Sequence, residues 1–162
     1  MTKRLFLTLF FFSMSFAIVS AQVDEEKRQE SVITDTIPTY PGGYEAYKKF
    51  IKRNLRYPDY CSQFKAEGQC TMIFVVESNG NISNVSAKSC KITYMDPGTI
   101  SHYSEEELKA VKKECARQMA KEGLRVIRKM KPWKPGYKNG VPVRLFHMLN
   151  LSFSVNYIDD EL

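Results

Sequence analysis

Cys70-Thr71-Met72-Ile73-Phe74-Val75-Val76-Glu77-Ser78-Asn79-Gly80-Asn81-Ile82 is the stretch from which the fold can be read. Thr71 through Val76 is rich in β-branched, aromatic and aliphatic side chains, the composition that fits a pleated, half-buried surface. Asn79-Gly80 follows directly. Asn-Gly is the preferred centre of a two-residue type I′ turn, because both central residues need positive φ. Beyond it, residues 82–90 alternate less strictly but remain strand-like. The stretch predicts a β-hairpin spanning residues 70–90.

A second strand signal lies near the C-terminus. Val143, Leu145, Leu149, Leu151, Phe153 and Val155 share one parity, with His147 the polar member among them. Arg144, Asn150, Ser152 and Ser154 share the other parity, together with Phe146 and Met148. Such alternation describes a strand over residues 143–155 with one face on a core and one nearer solvent. His147 reads as a core histidine rather than a metal ligand, since no second ligand candidate accompanies it. Two readings stay open for Phe146 and Met148: outward on the sheet, or packed beneath an N-terminal helix.

Three helical patterns surround these strands. Pro38, Pro41, Gly42 and Gly43 punctuate the chain, and Tyr44, Tyr47, Ile51 and Leu55 then recur at three- and four-residue steps. Lys48, Lys49, Lys52 and Arg53 fall on the other face, which reads as a solvated one. Pro58 suits the first turn of a short helix reaching about residue 66. Residues 91–103 read as irregular. Ser104 and Glu107 form a capping box ahead of a helix carrying Leu108, Val111, Cys115 and Met119 on one face. Gly123 is expected to interrupt or bend that helix, at about 1 kcal/mol relative to alanine, and Leu124, Ile127 and Met130 resume it. Trp133-Lys134-Pro135-Gly136 and the turn Lys138-Asn139-Gly140 lead into the last strand. This order predicts an α+β fold: a three-stranded antiparallel sheet with helices packed on one face.

The chain has 162 residues, one domain's length, and its 43% hydrophobic and 26% charged content is that of a globular protein. Residues 1–21 read as a secretory signal: Lys3 and Arg4, an apolar run over residues 5–19, then Val19-Ser20-Ala21. The apolar run is short beside the roughly 20 residues a bilayer span needs; an uncleaved signal anchor is the alternative. The segment holds two basic and no acidic residues, so its removal lowers the net charge from +6 to +4. Residues 22–40 read as a flexible leader. Export would put Cys61, Cys70, Cys90 and Cys115 in an oxidising compartment, where they pair; three pairings are open.

Catalytic signatures are poor. No Gly-x-Ser-x-Gly elbow, phosphate-binding glycine loop or His-Glu-x-x-His pair occurs. His102 and His147 stand near no obvious nucleophile, and Glu105-Glu106-Glu107 suits the dipole of a helix N-terminus. Neither enzymatic activity, a cofactor nor a metal is expected. Nucleic-acid binding is not expected either, because the remaining positive charge is small and dispersed.

What remains is a binding module, and its residues resemble a family. Tyr57-Pro58, Gly68, the strand Thr71-Met72-Ile73-Phe74-Val75-Val76, the turn Asn79-Gly80, then Ile82 and Val85 look like the TonB C-terminal domain. Leu124-Arg125-Val126-Ile127, Trp133-Lys134-Pro135-Gly136, Asn139-Gly140-Val141-Pro142-Val143 and the final strand continue the resemblance over about residues 57–155. Pro41-Gly42-Gly43 and the helix after it look like the extension of Bacteroidetes-type members. The resemblance implies a non-enzymatic periplasmic domain at residues 41–157, with a tail at 158–162. Its partner would be a TonB-dependent outer-membrane transporter, whose TonB box adds as a strand to the domain's sheet in transmembrane transport. An edge strand has unpaired N–H and C=O groups that such a peptide satisfies. With the last strand as that edge, the pairing backbone is expected at Val143, Arg144, Leu145, Phe146, His147, Met148, Leu149 and Asn150.

Two further functional readings accompany this one. The first is an energy transducer anchored in the inner membrane, facing the periplasm and coupled to proton-driven motor proteins. A 15-residue leader (residues 22–36) reaches only about 50 Å at full extension, which argues against it. The second is a secreted enzyme. A homodimer formed through the same edge is a further partner to expect. Against the family pattern, residues 92–114 look like an insertion flanked by Cys90 and Cys115. A disulfide between these two would close a loop of about 25 residues, worth about 3 kcal/mol in the chain-entropy model.

Overall fold

The computed structural model describes residues 35–155. The expected signal at residues 1–21, the part of the expected leader at residues 22–34 and the chain from residue 156 lie outside the described residues; residues 35–40 of that leader are held against the domain, Thr36 bridging Tyr137, Thr39 bridging Lys134 and Tyr40 buried. The element order is α1 (Gly43–Asn54), α2 (Asp59–Ser62), β1 (Glu67–Val76), β2 (Ile82–Tyr94), α3 (Pro97–Ile100), α4 (Glu105–Arg128), β3 (Gly136–Lys138), β4 (Val141–Val143) and β5 (Leu145–Phe153). β2, β1 and β5 form an antiparallel sheet in that order, and β3 pairs with β4 in a separate two-stranded ribbon. The fold is α+β, a three-stranded antiparallel sheet with helices packed against it, as the residue pattern predicts.

One face of the sheet carries the core. Cys70, Met72, Phe74 and Val76 alternate along β1, opposite Leu151, Leu149, His147 and Leu145 of β5. Against them α4 sets Val111, Cys115, Met119, Val126 and Ile127, all buried. The capping box starts α4 as expected: Glu107 accepts from the Ser104 N–H at 2.8 Å, and the Ser104 hydroxyl accepts from the Glu107 N–H at 3.4 Å. α4 then runs unbroken through Gly123, contrary to the expected bend. A Cβ there would sit 2.9 Å from Met72 Sδ and 3.2 Å from Leu151 Cδ1. The glycine therefore lets the helix lie close on the sheet, and packing outweighs its poor helix propensity.

Other expectations are corrected locally. The turn after β1 is not type I′, since only Gly80 there has positive φ, at 84°. The Gly80 N–H reaches Glu77 O at 2.8 Å and the Glu77 N–H reaches Asn81 O at 2.8 Å, the pattern of a three-residue loop closed by a left-handed glycine. The type I′ pair is the other Asn-Gly: Asn139 (φ 51°) and Gly140 (φ 73°), joining β3 to β4. α2 ends at Ser62 rather than near residue 66, because Lys65 turns to φ 44° and the Ala66 N–H bonds back to Cys61 O at 3.0 Å. The segment read as irregular holds the end of β2 and α3, whose first turn is capped by Asp96 accepting from the Gly98 N–H at 2.8 Å.

The cysteines are paired otherwise than the insertion suggested. Cys70 is bonded to Cys90, and Cys61 and Cys115 are free thiols, both buried. An uninterrupted register from Val76 opposite Ile82 would place Lys88, not Cys90, opposite Cys70. Two irregularities in β2 add one residue each, the first around Asn84, which has φ 49°. Together they move the register by two, keep the side-chain parity, and bring Cys90 opposite Cys70. Cys115 instead faces α2, where the Cys61 thiol donates to Cys115 O at 3.7 Å. Burial pushes both thiols up from their ordinary pKa.

Candidate functional site

β5 is the end strand of the sheet on the side away from β2. Its nine residues pair antiparallel with β1 from Leu145 opposite Val76 to Phe153 opposite Gly68 without a register break. Among the described residues no strand pairs with its other side. Alternate N–H and C=O groups along that side are therefore available to an incoming strand.

The expected pairing segment does not lie in one element. Leu145, Phe146, His147, Met148, Leu149 and Asn150 belong to β5. Val143 belongs to β4, opposite Gly136, and Arg144 lies between the two strands. The left-handed pair Asn139-Gly140 folds Val141–Val143 back onto Gly136–Lys138, so the alternation that reads as one strand is divided. Arg144 Nε meets the Glu77 carboxylate at 3.0 Å, tying the entry of β5 to the end of β1. Glu77 also accepts from the Ser83 hydroxyl, and that bond first, then the Arg144 contact, holds its carboxyl below the ordinary range.

The two faces of β5 differ sharply. On the core face, the His147 ring lies 4.7 Å from Trp133 and 5.4 Å from Phe74, centroid to centroid, and burial lowers its pKa. On the other face Phe146 is 77% exposed and Met148 53% exposed, which decides between the two open readings in favour of the outward one. Their partners on β1 are Val75 and Ile73. Phe146 and Met148 thus stand exposed beside half-buried Ile73 and buried Val75, on a face that also carries Thr71, Asn150 and Ser152, with Thr71 Oγ1 donating to Asn150 Oδ1 at 2.9 Å.

Trp133 holds β5 in place. Its backbone N–H donates to Gly80 O at 2.8 Å, and its ring packs on Phe74 at 5.3 Å, Tyr40 at 5.8 Å and His147. The next residue, Lys134, exchanges two backbone hydrogen bonds with Thr39, at 2.9 and 3.0 Å. The segment that starts the Trp133-Lys134-Pro135-Gly136 run is thus clamped between the first hairpin turn, the chain ahead of α1 and the buried face of β5.

Sequence reasoning missed the space beside this edge. A groove of about 570 Å³ opens between α1 and β5. Tyr47, Ile51 and Leu151 line it together with Lys48, Lys49 and Lys52, and Asn150 and Ser152 close its β5 side. Lys48 pairs with Glu45 at 3.6 Å and lies over the Tyr44 ring at 5.4 Å. The lysine spacing was visible in the sequence; that α1 lies alongside β5 was not. Among the described residues no cluster of metal-ligating side chains occurs, and no helix is long and apolar enough to cross a membrane.

No family model matches the chain, and no curated protein matches it. The chain is similar to the solution structure of the TonB C-terminal domain of Helicobacter pylori, at 13% sequence identity and a TM-score of 0.35, over 71% of this chain and 86% of that one.

Proposed function

We propose that this protein is an exported, non-enzymatic TonB C-terminal-like module of the periplasm. It binds an extended segment of a TonB-dependent outer-membrane transporter by adding it as a strand to β5. The observation that carries this reading is the position of β5: a regular nine-residue strand at the end of the sheet with no partner among the described residues on its free side. Main-chain hydrogen bonds would supply affinity, and side chains of alternate parity would supply selectivity. The ordered resemblance over residues 57–155 names the partner class. Phe146 and Met148 present apolar contacts on one side of the added strand, and the groove against α1 receives side chains on the other.

The test is fluorescence anisotropy with labelled peptides from the N-terminal segments of such transporters, using protein shown to be folded by circular dichroism. Saturable binding at tens of micromolar or tighter is expected, and it should be lost on Leu149→Pro, which removes a backbone donor from β5. Phe146→Ala, at an exposed position, should weaken binding while leaving the fold intact. Absence of binding by the folded wild-type protein would refute the reading.

A further inference from the structure

We infer that Cys61 of α2 and Cys115 of α4 form a second disulfide site, closed by exchange with a disulfide-bearing oxidant and independent of strand addition to β5. Both side chains are fully buried. The Cys61 thiol lies 3.7 Å from Cys115 O, and the two thiols stand within hydrogen-bonding reach of each other. Backbone bonds hold Cys61 in place. Its N–H donates to Pro58 O at 2.9 Å, and its C=O accepts from the N–H groups of Phe64 at 3.2 Å and Ala66 at 3.0 Å. Cys115 sits in the middle of α4, with buried Val111 and Met119 one turn away on either side. Each sulfur is thus delivered by backbone fixed on its own account, and bond formation calls on side-chain rotation more than on backbone movement. Cys70 and Cys90 are already bonded to each other and leave this pair no other cysteine partner.

The chemistry is thiol–disulfide exchange. One protein thiolate attacks a sulfur of the oxidant, whose S–S bond breaks; one half leaves as a thiolate and takes up a proton. The second protein thiolate then attacks the protein-bound sulfur of this mixed disulfide. The Cys61–Cys115 bond forms and the other half is expelled. In sum the protein loses two hydrogens and the oxidant gains them. Burial raises both thiols, so attacking thiolate is scarce while α2 stays docked on α4. Closure therefore runs through local opening of α2, which is four residues long and has no side-chain cap bond. Once the bond is made and buried again, it lies out of a reductant's reach. The cross-link joins positions 54 apart and encloses Cys70–Cys90, whose separation is 20. The longer loop constrains the unfolded chain more, and it brackets residues 92–114, the stretch that looks like an insertion.

The experiment starts from folded protein carrying the two thiols and incubates it with oxidised glutathione in urea below the unfolding transition. The sample is quenched with acid, denatured, alkylated and digested with trypsin without reductant. Trypsin separates all four cysteines, because Lys65, Lys88 and Lys113 lie between them. Free thiols should fall from two to none, with the Cys61 peptide linked to the Cys115 peptide and no glutathione retained. In Cys115→Ala, Cys61 lacks its resolving partner and should stop at the glutathione adduct. If that variant fails to fold by circular dichroism, the wild-type map decides alone. The closed protein should keep the circular dichroism spectrum of the dithiol and unfold at a higher urea midpoint. Thiols that stay at two, glutathione retained on the wild type, or linkage of Cys61 or Cys115 to Cys70 or Cys90 would overturn the proposal. So would a closed form that unfolds at lower urea than the dithiol, since the sulfurs would then not stand in bonding register.

Discussion

Gly80→Ala tests how the first hairpin turn supports the edge strand. Gly80 has φ 84°, and a Cβ there would lie 2.1 Å from the carbonyl oxygen of Trp133. Two costs follow. Holding alanine in the left-handed region costs about 1–2 kcal/mol. The clash is with backbone, so the Trp133 segment must retreat by about 1 Å; this lost packing costs about 1–3 kcal/mol. It also breaks the 2.8 Å bond from the Trp133 N–H to Gly80 O, worth about 1 kcal/mol. The total is about 3–6 kcal/mol, a large share of the 5–15 kcal/mol typical of a domain. Gly140→Ala is the control. Gly140 has φ 73° but nothing within 4 Å of an added Cβ, so only the conformational cost of about 1–2 kcal/mol applies. Urea unfolding of both variants by circular dichroism, with unchanged m-values, reads the difference. A gap of at least 2 kcal/mol is expected. Equal destabilisation would refute the claim that the turn bears directly on Trp133, and with it the route from Gly80 through Trp133 to His147 on β5.

Other outcomes follow from the same contacts. A thiol reagent should find two reactive cysteines in the non-reduced, denatured chain and none in the native one, because Cys61 and Cys115 are buried and Cys70 is bonded to Cys90. Four reactive thiols would contradict the pairing. Cys70→Ala/Cys90→Ala should cost about 3 kcal/mol for a closed loop of about 20 residues, read by urea unfolding without reductant. Burial lowers the folded-state pKa of His147 below its ordinary 6.5. The unfolded chain therefore binds the proton first, and stability present above pH 6.5 is lost as pH falls towards the folded value. Compared with His147→Gln, the wild type should lose stability between pH 7.5 and 5; parallel curves would contradict this. Ser104→Ala should cost about 1 kcal/mol through loss of the capping box, and a thermal melt reads it.

Legibility in the sequence followed the range of the interactions. The pairing of the first hairpin, the Ser104–Glu107 box and the alternation over Leu145–Phe153 depend on neighbours a few residues apart and were legible, although the turn type of that hairpin and the start of β5 were not. The exposure of Phe146 and Met148 was half-legible: parity separated them from the core residues, but whether α1 covered them was a tertiary matter. Cys70–Cys90 was hidden because two irregularities in β2 shift the register by two, and no residue type except Asn84 at positive φ marks them. The division between β4 and β5 was hidden because Val143 keeps the parity of β5 while pairing elsewhere. Gly123 misled because a helix breaker in propensity is here a close-approach site against Met72. The lysines of α1 looked solvated, since nothing local tells that the helix lies beside the sheet's end.

The central claim is strand addition to β5, and backbone amide exchange tests it most directly. With a saturating transporter TonB box peptide, alternate amides along Leu145–Phe153 should gain at least tenfold protection, because only every second N–H of an end strand faces the added chain. Amides of β2, at the opposite end of the sheet, should be unchanged. New protection on β2, or a bound peptide that leaves every amide of β5 as it was, would contradict the account.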